Sequence, residues 1–344
     1  MSLLAACDDP GRPVACRFGD SARAISGTFL TWNLYLGAAV DRLILAHPTE
    51  RPAIVEEGFQ QLVATNFGER AQAIALGIDS VDPDVIGLQE VAHWSMQSPG
   101  DQSGDSPTPA TETFADFLAM LLSALEERGL VYQPVAITTN VDIELPSASG
   151  DDIRFRDRDV ILARSGVAAF NPQSGTFLAR FRLDDDITVV RGWASIDAVV
   201  AGDTVRFVTT HLETEELERL LRLQQAQVGE LLEILCDADL PIVVAGDFNS
   251  DPQDATTSAY DAFDRAGFVD AWSVANPQAT GFTCCQAPDL TNSTSLLSHR
   301  VDFVWFRGSV PSVDATVLGA EPTERTPSGL WPSDHAGVVA TLRR

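Results

Sequence analysis

Polar side chains that could bind metal or move protons recur where apolar segments of this sequence end. Asn33, Glu90, His211 and Asp247 each follow a short run rich in Val, Ile, Leu, Phe or Thr. Such runs predict β-strands. Because ligand and catalytic groups of layered α/β proteins gather at strand ends, we expect these side chains to meet in one crevice.

Further candidates of the same types lie later in the chain. Asn249 follows Asp247 by two positions, Asp302 precedes an apolar strand, and Asp334 and His335 open the last strand. Each alone has an ordinary explanation, since Asn and Asp are common turn residues. Their recurrence favours a shared site. Carboxylate and amide oxygens suit a hard cation such as Mg²⁺, and His or a carboxylate can activate water.

The elements that must position these residues alternate along the chain as in an α/β protein. Strands are predicted at 27–33, 84–89, 159–163, 187–200, 204–210, 241–246, 301–306 and 335–342. Helices are predicted at 53–78, 111–127, 214–236 and 256–266 from apolar residues at helical spacing. Residues 98–110 and 146–158 are predicted loops. No linker divides the later chain, so we expect a tail or linker over 1–20 and one catalytic domain over 21–344.

Seven segments in a fixed order carry a family resemblance. They are Thr31–Asn33, Asp84–Glu90, Arg158–Arg164, Thr210–Leu212, Gly246–Asn249, Arg300–Phe303 and Ser333–His335. In these segments the sequence resembles the endonuclease/exonuclease/phosphatase superfamily, over about residues 25–344. The pair of Gly-Asp-Phe-Asn and a late Ser-Asp-His is specific, whereas any single motif would be weak. The resemblance implies a four-layer α/β/β/α sandwich of two mixed sheets flanked by helices, and a divalent-metal-dependent phosphoesterase.

The resemblance also implies roles for individual residues. Glu90 would be the principal metal ligand, with Asn33 and Asp334 nearby, for Mg²⁺ or for Mn²⁺ or Ca²⁺ in its place. The implied catalytic residues are Asp247, Asn249, His211, His335 and Asp302. Of these, Asp247 would orient or deprotonate water, and Asn249 and His211 would hold the phosphate. His335, paired with Asp302, would stabilise the transition state or transfer a proton. Which His or Asp is the base varies among relatives.

The sequence departs from the nuclease pattern at two points, and it offers two Arg residues as candidates for substrate binding. Tyr35 stands where many apurinic endonucleases have an acidic residue, and the stretch from Asn33 to Glu90 is longer than in compact nucleases. Arg158 alternates with neighbouring Arg residues at period two, so one strand face could meet a phosphate or form salt bridges. Arg191 has the same standing. Both are substrate-binding candidates, beside Asn249 and His211.

The charge balance limits the partners. The 344 residues include 23 basic and 49 acidic side chains, a net charge of −26, and every basic residue is Arg. This excess repels phosphate backbones at long range, so nucleic acid is a disfavoured partner. No apolar run approaches the roughly 20 residues that a membrane-spanning helix needs. We expect a monomer.

The N-terminus suggests export. Residues 4–7, Leu-Ala-Ala-Cys, resemble a bacterial lipoprotein processing site, in which Cys7 would carry the lipid; the alternative is a chance Ala-Ala-Cys. With an anchor, the protein would be a periplasmic or cell-surface lipoprotein; otherwise it would be secreted. The remaining cysteines are Cys16, Cys236, Cys284 and Cys285, an even number that suits an oxidising compartment. Adjacent Cys284 and Cys285 are poorly spaced to bridge each other.

Three functions remain open from the sequence. The first is hydrolysis of small or lipid-derived phosphoesters, including lipid-headgroup substrates, which fits the charge and a lipid anchor. The second is an exported nuclease for DNA or RNA, in which metal and local Arg residues overcome the repulsion. The third is a surface protein that has lost catalysis, which the complete set of site residues argues against.

Overall fold

The computed structural model describes residues 23–344 except 41, 44–45, 103, 105, 183–187, 215–216, 237–238 and 254–257. The tail predicted over 1–20, with Cys7 and Cys16, lies outside the described residues. The described strands are β1 Gly27–Asn33, β2 Val85–Gln89, β3 His93–Gln97, β4 Glu112–Asp116, β5 Tyr132–Pro146, β6 Asp152–Arg164, β7 Ala168–Thr176, β8 Phe181–Arg182, β9 Thr188–Val189, β10 Gly192–Val200, β11 Asp203–His211, β12 Ile242–Asp247, β13 Val269–Asp270, β14 Asp302–Arg307, β15 Ser312–Leu318 and β16 Gly337–Arg343. The described helices are α1 Arg51–Ala64, α2 Phe67–Val81, α3 Phe117–Glu127, α4 Glu218–Leu235, α5 Ser258–Arg265 and α6 Ala271–Ala275, with a 3₁₀ turn at Pro322–Glu324.

Two mixed sheets form the centre of the molecule. The first has the order β15-β16-β1-β2-β6-β3-β4, with β5 paired to β6, and the second has the order β13-β14-β12-β11-β10-β7. β8 and β9 form a separate small ribbon. β1 with β2, and β11 with β12, are parallel pairs, while the other pairs within the two large sheets are antiparallel.

Apolar side chains fill three layers between these elements. Phe29 of the first sheet stacks on Phe207 of the second, in a core that both sheets share. Helices α1, α2 and α3 cover the outer face of the first sheet, and α4 and α5 cover that of the second. The predicted four-layer α/β/β/α class is confirmed. No helix among the described residues is both long and apolar enough to cross a bilayer.

Strand register brings the predicted site residues to one edge of the sandwich. Asn33 pairs with Gln89 at the ends of β1 and β2, so Glu90 is the next residue after this pair. In the other sheet Asp247 is paired with His211 on one side and with Asp302 on the other. These pairings bring polar ends together because both parallel pairs finish at the same edge.

A buried hydrogen-bond chain joins the sheets below this edge. The Thr31 hydroxyl donates to Gln89 Oε1 over 3.0 Å, and Gln89 Nε2 donates to Thr209 Oγ1 in the opposite sheet over 2.8 Å. All three side chains are fully buried. Since each buried polar group has a partner, the chain sets the separation of the sheets without leaving an unpaired group.

Several predicted elements need correction. The helix predicted over 53–78 is two helices, because Asn66 between them adopts a left-handed backbone with φ of 35°. The helix predicted over 111–127 begins as strand β4 and becomes helical at Phe117, where Asp116 caps it by accepting from Leu118 N. The loop predicted over 146–158 is mostly the first half of β6. Its charges obscured the strand, since Arg faces one side and buried Asp the other.

Gly87 is expected to tolerate no side chain. A Cβ there would lie 2.7 Å from Thr209 Oγ1 and 3.1 Å from Ala245 O across the sandwich. Gly87→Ala should lower the free energy of unfolding by about 1–3 kcal/mol through overpacking, measured by urea denaturation. Gly229→Ala in α4, where a Cβ meets nothing within 4 Å, should instead add about 0.5–1 kcal/mol. Equal stability of the two variants would contradict the expected close contact.

Candidate active site

Asn33 and Glu90 form the side of the site that belongs to the first sheet. Asn33 Nδ2 donates to Asp247 Oδ2 over 3.1 Å, which links the two sheets at the site itself. Glu90 has φ of 55°, and its Oε2 accepts from Leu36 N over 2.8 Å. Burial and the nearby carboxylates of Asp334 and Asp157 raise the Glu90 pKa well above its ordinary value. A carboxylate in this setting favours a bound cation.

Asp247 lies at the centre of the other half. Its Oδ1 accepts from Asn249 N over 2.9 Å, and its Oδ2 lies 3.5 Å from His211 Nε2. Burial and Asp302 raise the pKa of Asp247 to about 6. Asn249, in the left-handed region at φ of 47°, donates to Leu212 O and places its amide 3.1 Å from His211 Nε2. The predicted group of Asp247, Asn249 and His211 is therefore assembled.

The two imidazoles have opposite electrostatic settings. Burial, together with Arg191 and His335, holds the pKa of His211 well below its usual range, so its ring is neutral. Burial also acts to lower the pKa of His335, but Asp302 and Asp247 outweigh it and raise that pKa well above its usual value. His335 Nδ1 lies 2.8 Å from Asp302 Oδ2. His335 is thus a cationic proton donor and His211 a neutral partner.

Arg70 positions both strand-end segments and was not found from the sequence. Its guanidinium is fully buried and donates to Leu34 O over 2.7 Å and to Pro332 O over 3.0 Å. These carbonyls flank Asn33 on one side and precede Asp334 on the other. Burial lowers the pKa of Arg70 to about 10, which leaves it charged at neutral pH. Arg70 also partly offsets the rise that burial causes in the Asp334 pKa.

The two Arg candidates differ in whether their side chains reach the site. Arg191 reaches the site: Nη1 lies 3.1 Å from His211 Nδ1, and Nη2 donates to Glu213 Oε1 over 3.3 Å. Arg158 does not. It donates to Val91 O over 3.0 Å and to Asp116 Oδ1 over 2.6 Å, on the face of β6 that turns away from the site. The assignment of Arg158 to substrate binding is therefore corrected to a structural ion pair.

Asp157 is a site residue that the sequence reasoning missed. It lies between Arg156 and Arg158 on β6, and because side chains alternate along a strand it faces the space between the sheets. It is 2% exposed and lines the same pocket as Glu90 and Arg191. The period-two alternation of Arg and Asp contained the signal, but it does not show which of the two sets faces inward.

Cys284 and Cys285 also line the pocket. Their sulfur atoms lie against each other in this wall. Cys285 Sγ lies 3.9 Å from His335 Nε2. The pair is therefore part of the wall next to the cationic imidazole.

Comparisons with known proteins agree with this geometry. The sequence profile of the Endonuclease/Exonuclease/phosphatase family matches residues 30–335. The chain belongs to that family. Truncated TDP2 of Caenorhabditis elegans superposes with a TM-score of 0.52 at 18% identity, covering 93% of this chain and 98% of that one. A mannosyl-6-phosphatase of Bacteroides thetaiotaomicron superposes with a TM-score of 0.54 at 16% identity, covering 92% and 99%.

A sequence relative adds a shorter match. Nocturnin of Xenopus laevis is 27% identical over 161 residues, which are 40% of this chain and 37% of nocturnin. The alignment thus spans little more than a third of that relative. The family to which this chain belongs consists of metal-dependent phosphoesterases and nucleases.

The residues present fit the divalent metal that the family uses. Glu90, Asp247 and Asp334 all have pKa values raised by burial beside other carboxylates. Carboxylate oxygens of Asp247 and Asp302 lie within 4.8 Å of each other. Oxygen donors that repel each other in this way are the set that a hard cation stabilises. Glu90, Asn33 and Asp334 remain the predicted metal ligands, with Asp247 close by.

The pKa of Asp247 predicts how metal and pH affect stability. Its folded value of about 6 exceeds the ordinary 3.8, so its contribution to stability is present below pH 3.8 and is lost as pH rises through 6. Metal-free protein should therefore gain more in Tm from added Mg²⁺ at pH 7 than at pH 5, measured by thermal melting. Asp247→Asn should show a smaller difference between the two pH values. An Mg²⁺ effect that is identical at both would contradict this.

Proposed function

We propose that this enzyme hydrolyses phosphoesters that carry an apolar group beside the phosphate, such as lipid-derived phosphodiesters or phosphomonoesters. The observation that supports this is a single pocket of about 360 Å³ with a polar end and apolar walls. The volume lies in the range typical of sites for small molecules.

The polar end of the pocket contains the groups that phosphoester hydrolysis needs. It is lined by Glu90, Asp157, Arg191, His211, Glu213, Asp247, Asn249, Asp334 and His335, with Cys284 and Cys285 beside them. Among the described lining residues Arg191 alone has a permanent positive charge. One cationic side chain suits one phosphate group. A groove for a long polyanion would need a row of such contacts.

The walls leading away from this end are apolar. They are formed by Leu36, Ala39, Val40, Leu43, Ile54, Val55, Trp94, Val141, Ile143, Leu145, Ile153, Phe155, Phe181, Val189, Leu217 and Leu220. These residues come from the segment after β1, from α1, from β3, from the paired ends of β5 and β6, from the β8–β9 ribbon and from the start of α4. An apolar wall next to a charged site favours an amphipathic substrate, since burying each CH₂ contributes about 0.8 kcal/mol.

The roles of the residues follow from their positions. A divalent cation bound near Glu90 would polarise a phosphoryl oxygen and lower the pKa of water. Asp247, held by Asn33 and Asn249, is placed to orient that water. Arg191 and Asn249 can donate to the phosphate oxygens. His335, kept protonated by Asp302, can donate a proton to the leaving oxygen.

The acid–base assignment predicts large losses of turnover. His335→Ala and Asp247→Ala should each lower kcat by well over 100-fold, because proton transfer or water positioning is lost. The assay is hydrolysis of bis-p-nitrophenyl phosphate with Mg²⁺ or Mn²⁺. Asp314→Asn is the matched control. It alters an exposed carboxylate on β15 that pairs with Arg343, and it should leave kcat unchanged. Near-parental rates in either site variant would remove the assignment.

The apolar wall predicts a dependence on chain length. For phosphodiesters of increasing alkyl length, kcat/KM should rise by up to about fourfold per added methylene until the wall is filled. Ile143→Trp should shorten the accepted chain and leave bis-p-nitrophenyl phosphate hydrolysis intact. Ile137→Trp, on the same strand but 40% exposed and outside the pocket, is the control.

Other substrates decide between the proposed function and its alternatives. Plasmid DNA, sphingomyelin and inositol phosphates should be compared under the same metal conditions. Faster cleavage of DNA than of the lipid phosphodiester would favour a nuclease. A flat response to alkyl length, together with rapid hydrolysis of inositol phosphates, would favour a polar small substrate.

A further inference from the structure

Three oxygen-bearing side chains form a second polar cluster below the catalytic end of the pocket. This inner cluster consists of Asn140 on β5 and of Asp157 and Asp159 on β6. Asn140 and Asp159 are 0% exposed and Asp157 is 2% exposed. The two aspartates share the face of β6 that looks into the space between the sheets. None of the three is needed for the proposed acid–base roles.

A β-bulge aims Asn140 into this cluster. The β5–β6 register shifts between Thr139 and Val141, so Asn140 has no partner residue in the ladder. Its backbone carbonyl is fixed by Val190 N over 3.1 Å. Bulges commonly redirect a side chain next to a functional site. Here the redirected group is an amide between two strands that already contribute carboxylates.

Four oxygens of the inner cluster have no hydrogen-bond partner. They are Asn140 Oδ1, Asp157 Oδ1, Asp159 Oδ1 and Asp159 Oδ2. The contact within the cluster that meets hydrogen-bond geometry is a long one of 3.4 Å from Asn140 Nδ2 to Asp157 Oδ2, and the same amide lies near enough to Asp159 to lower its pKa. A half-turn of the amide would bring Asn140 Oδ1 to that place. Buried polar atoms without hydrogen-bond partners are rare and reduce stability. We therefore expect these four oxygens to bind a ligand.

The guanidinium of Arg191 does not satisfy these oxygens. Arg191 attracts both aspartates electrostatically, but its Nη1 is directed to His211 and its Nη2 to Glu213. Asp247 adds a further negative charge beside Asp159. The aspartates thus lie in an excess of negative charge that one shared guanidinium leaves uncompensated.

We propose that Asn140, Asp157 and Asp159 bind a hard divalent cation, separate from the catalytic metal near Glu90. All the donors are oxygens, and up to four come from carboxylates, a set that Ca²⁺ accepts with flexible geometry. Ca²⁺ is favoured over Mg²⁺ because Mg²⁺ keeps several waters and is seldom held in a buried all-protein cage. The ion would join β5 to β6 and remove the repulsion between Asp157 and Glu90.

Binding stoichiometry tests this site without relying on catalysis. EDTA-treated Glu90→Gln protein, with its catalytic metal site impaired, is compared with the Glu90→Gln/Asp159→Asn double variant by equilibrium dialysis against Ca²⁺ and, separately, Mg²⁺. The expected result is one equivalent of Ca²⁺ fewer in the double variant, together with loss of the Ca²⁺-dependent rise in Tm. Equal stoichiometry in the two proteins would overturn the proposal. A one-equivalent difference seen with Mg²⁺ but not with Ca²⁺ would overturn the choice of Ca²⁺ as the bound ion.

Two further variants guard against misfolding as an explanation. Asp142→Asn, in the Glu90→Gln background, removes an exposed carboxylate from β5, the strand that carries Asn140. This variant should still bind the full equivalent of Ca²⁺. Asn140→Asp, in the same background, adds a charged ligand and should tighten Ca²⁺ binding by at least about tenfold. Unchanged or weaker binding in Asn140→Asp would contradict the site even if Asp159→Asn failed to fold. Because hydrolysis is not measured, failure here leaves the proposed function untouched.

Discussion

The arrangement of this protein depends on concentrating negative charge between two sheets. The carboxylates in or beside the pocket are Glu90, Asp157, Asp159, Glu213, Asp247, Asp302 and Asp334. Against them stand Arg70, Arg191 and the protonated His335. Removing such groups from water costs several kcal/mol per ion unless each is paired. The deficit of positive charge is what makes the edge of the sandwich a cation site, and the sheets must hold the carboxylates together against their repulsion.

The same charges give the two imidazoles, His335 and His211, different protonation states. His335 and His211 lie on opposite sides of Asp247, yet one has Asp302 at 2.8 Å and the other has Arg191 at 3.1 Å. The first is therefore charged and the second neutral at the same pH. Pairs of titratable groups with diverging pKa values identify acid and base roles. Tertiary contacts, not residue type, assign those roles here.

The sequence predicted the site better than it predicted the elements around it. Glu90, His211 and Asp247 follow apolar runs whose strands end at one edge, so local pattern and position agree. Arg158 was misassigned because a period-two pattern shows that residues alternate without showing which set faces inward. Arg70 could not have been found, since its role consists of contacts with carbonyls from segments far apart in the chain. Strand β5 was missed for a similar reason: its pattern is broken by a bulge.

The groups proposed for the reaction and those proposed for substrate choice lie in different parts of the chain. The catalytic groups come from the motif segments at strand ends, which family membership specifies. The apolar walls come from segments outside those motifs: the segment after β1, α1, β3, the paired ends of β5 and β6, the β8–β9 ribbon and the start of α4. The net charge of −26 acts at long range, while Arg191, the amides and the cation proposed near Glu90 would recognise phosphate at contact distance. Under the proposed function, an acidic enzyme can therefore act on an anionic ester whose remaining part is apolar.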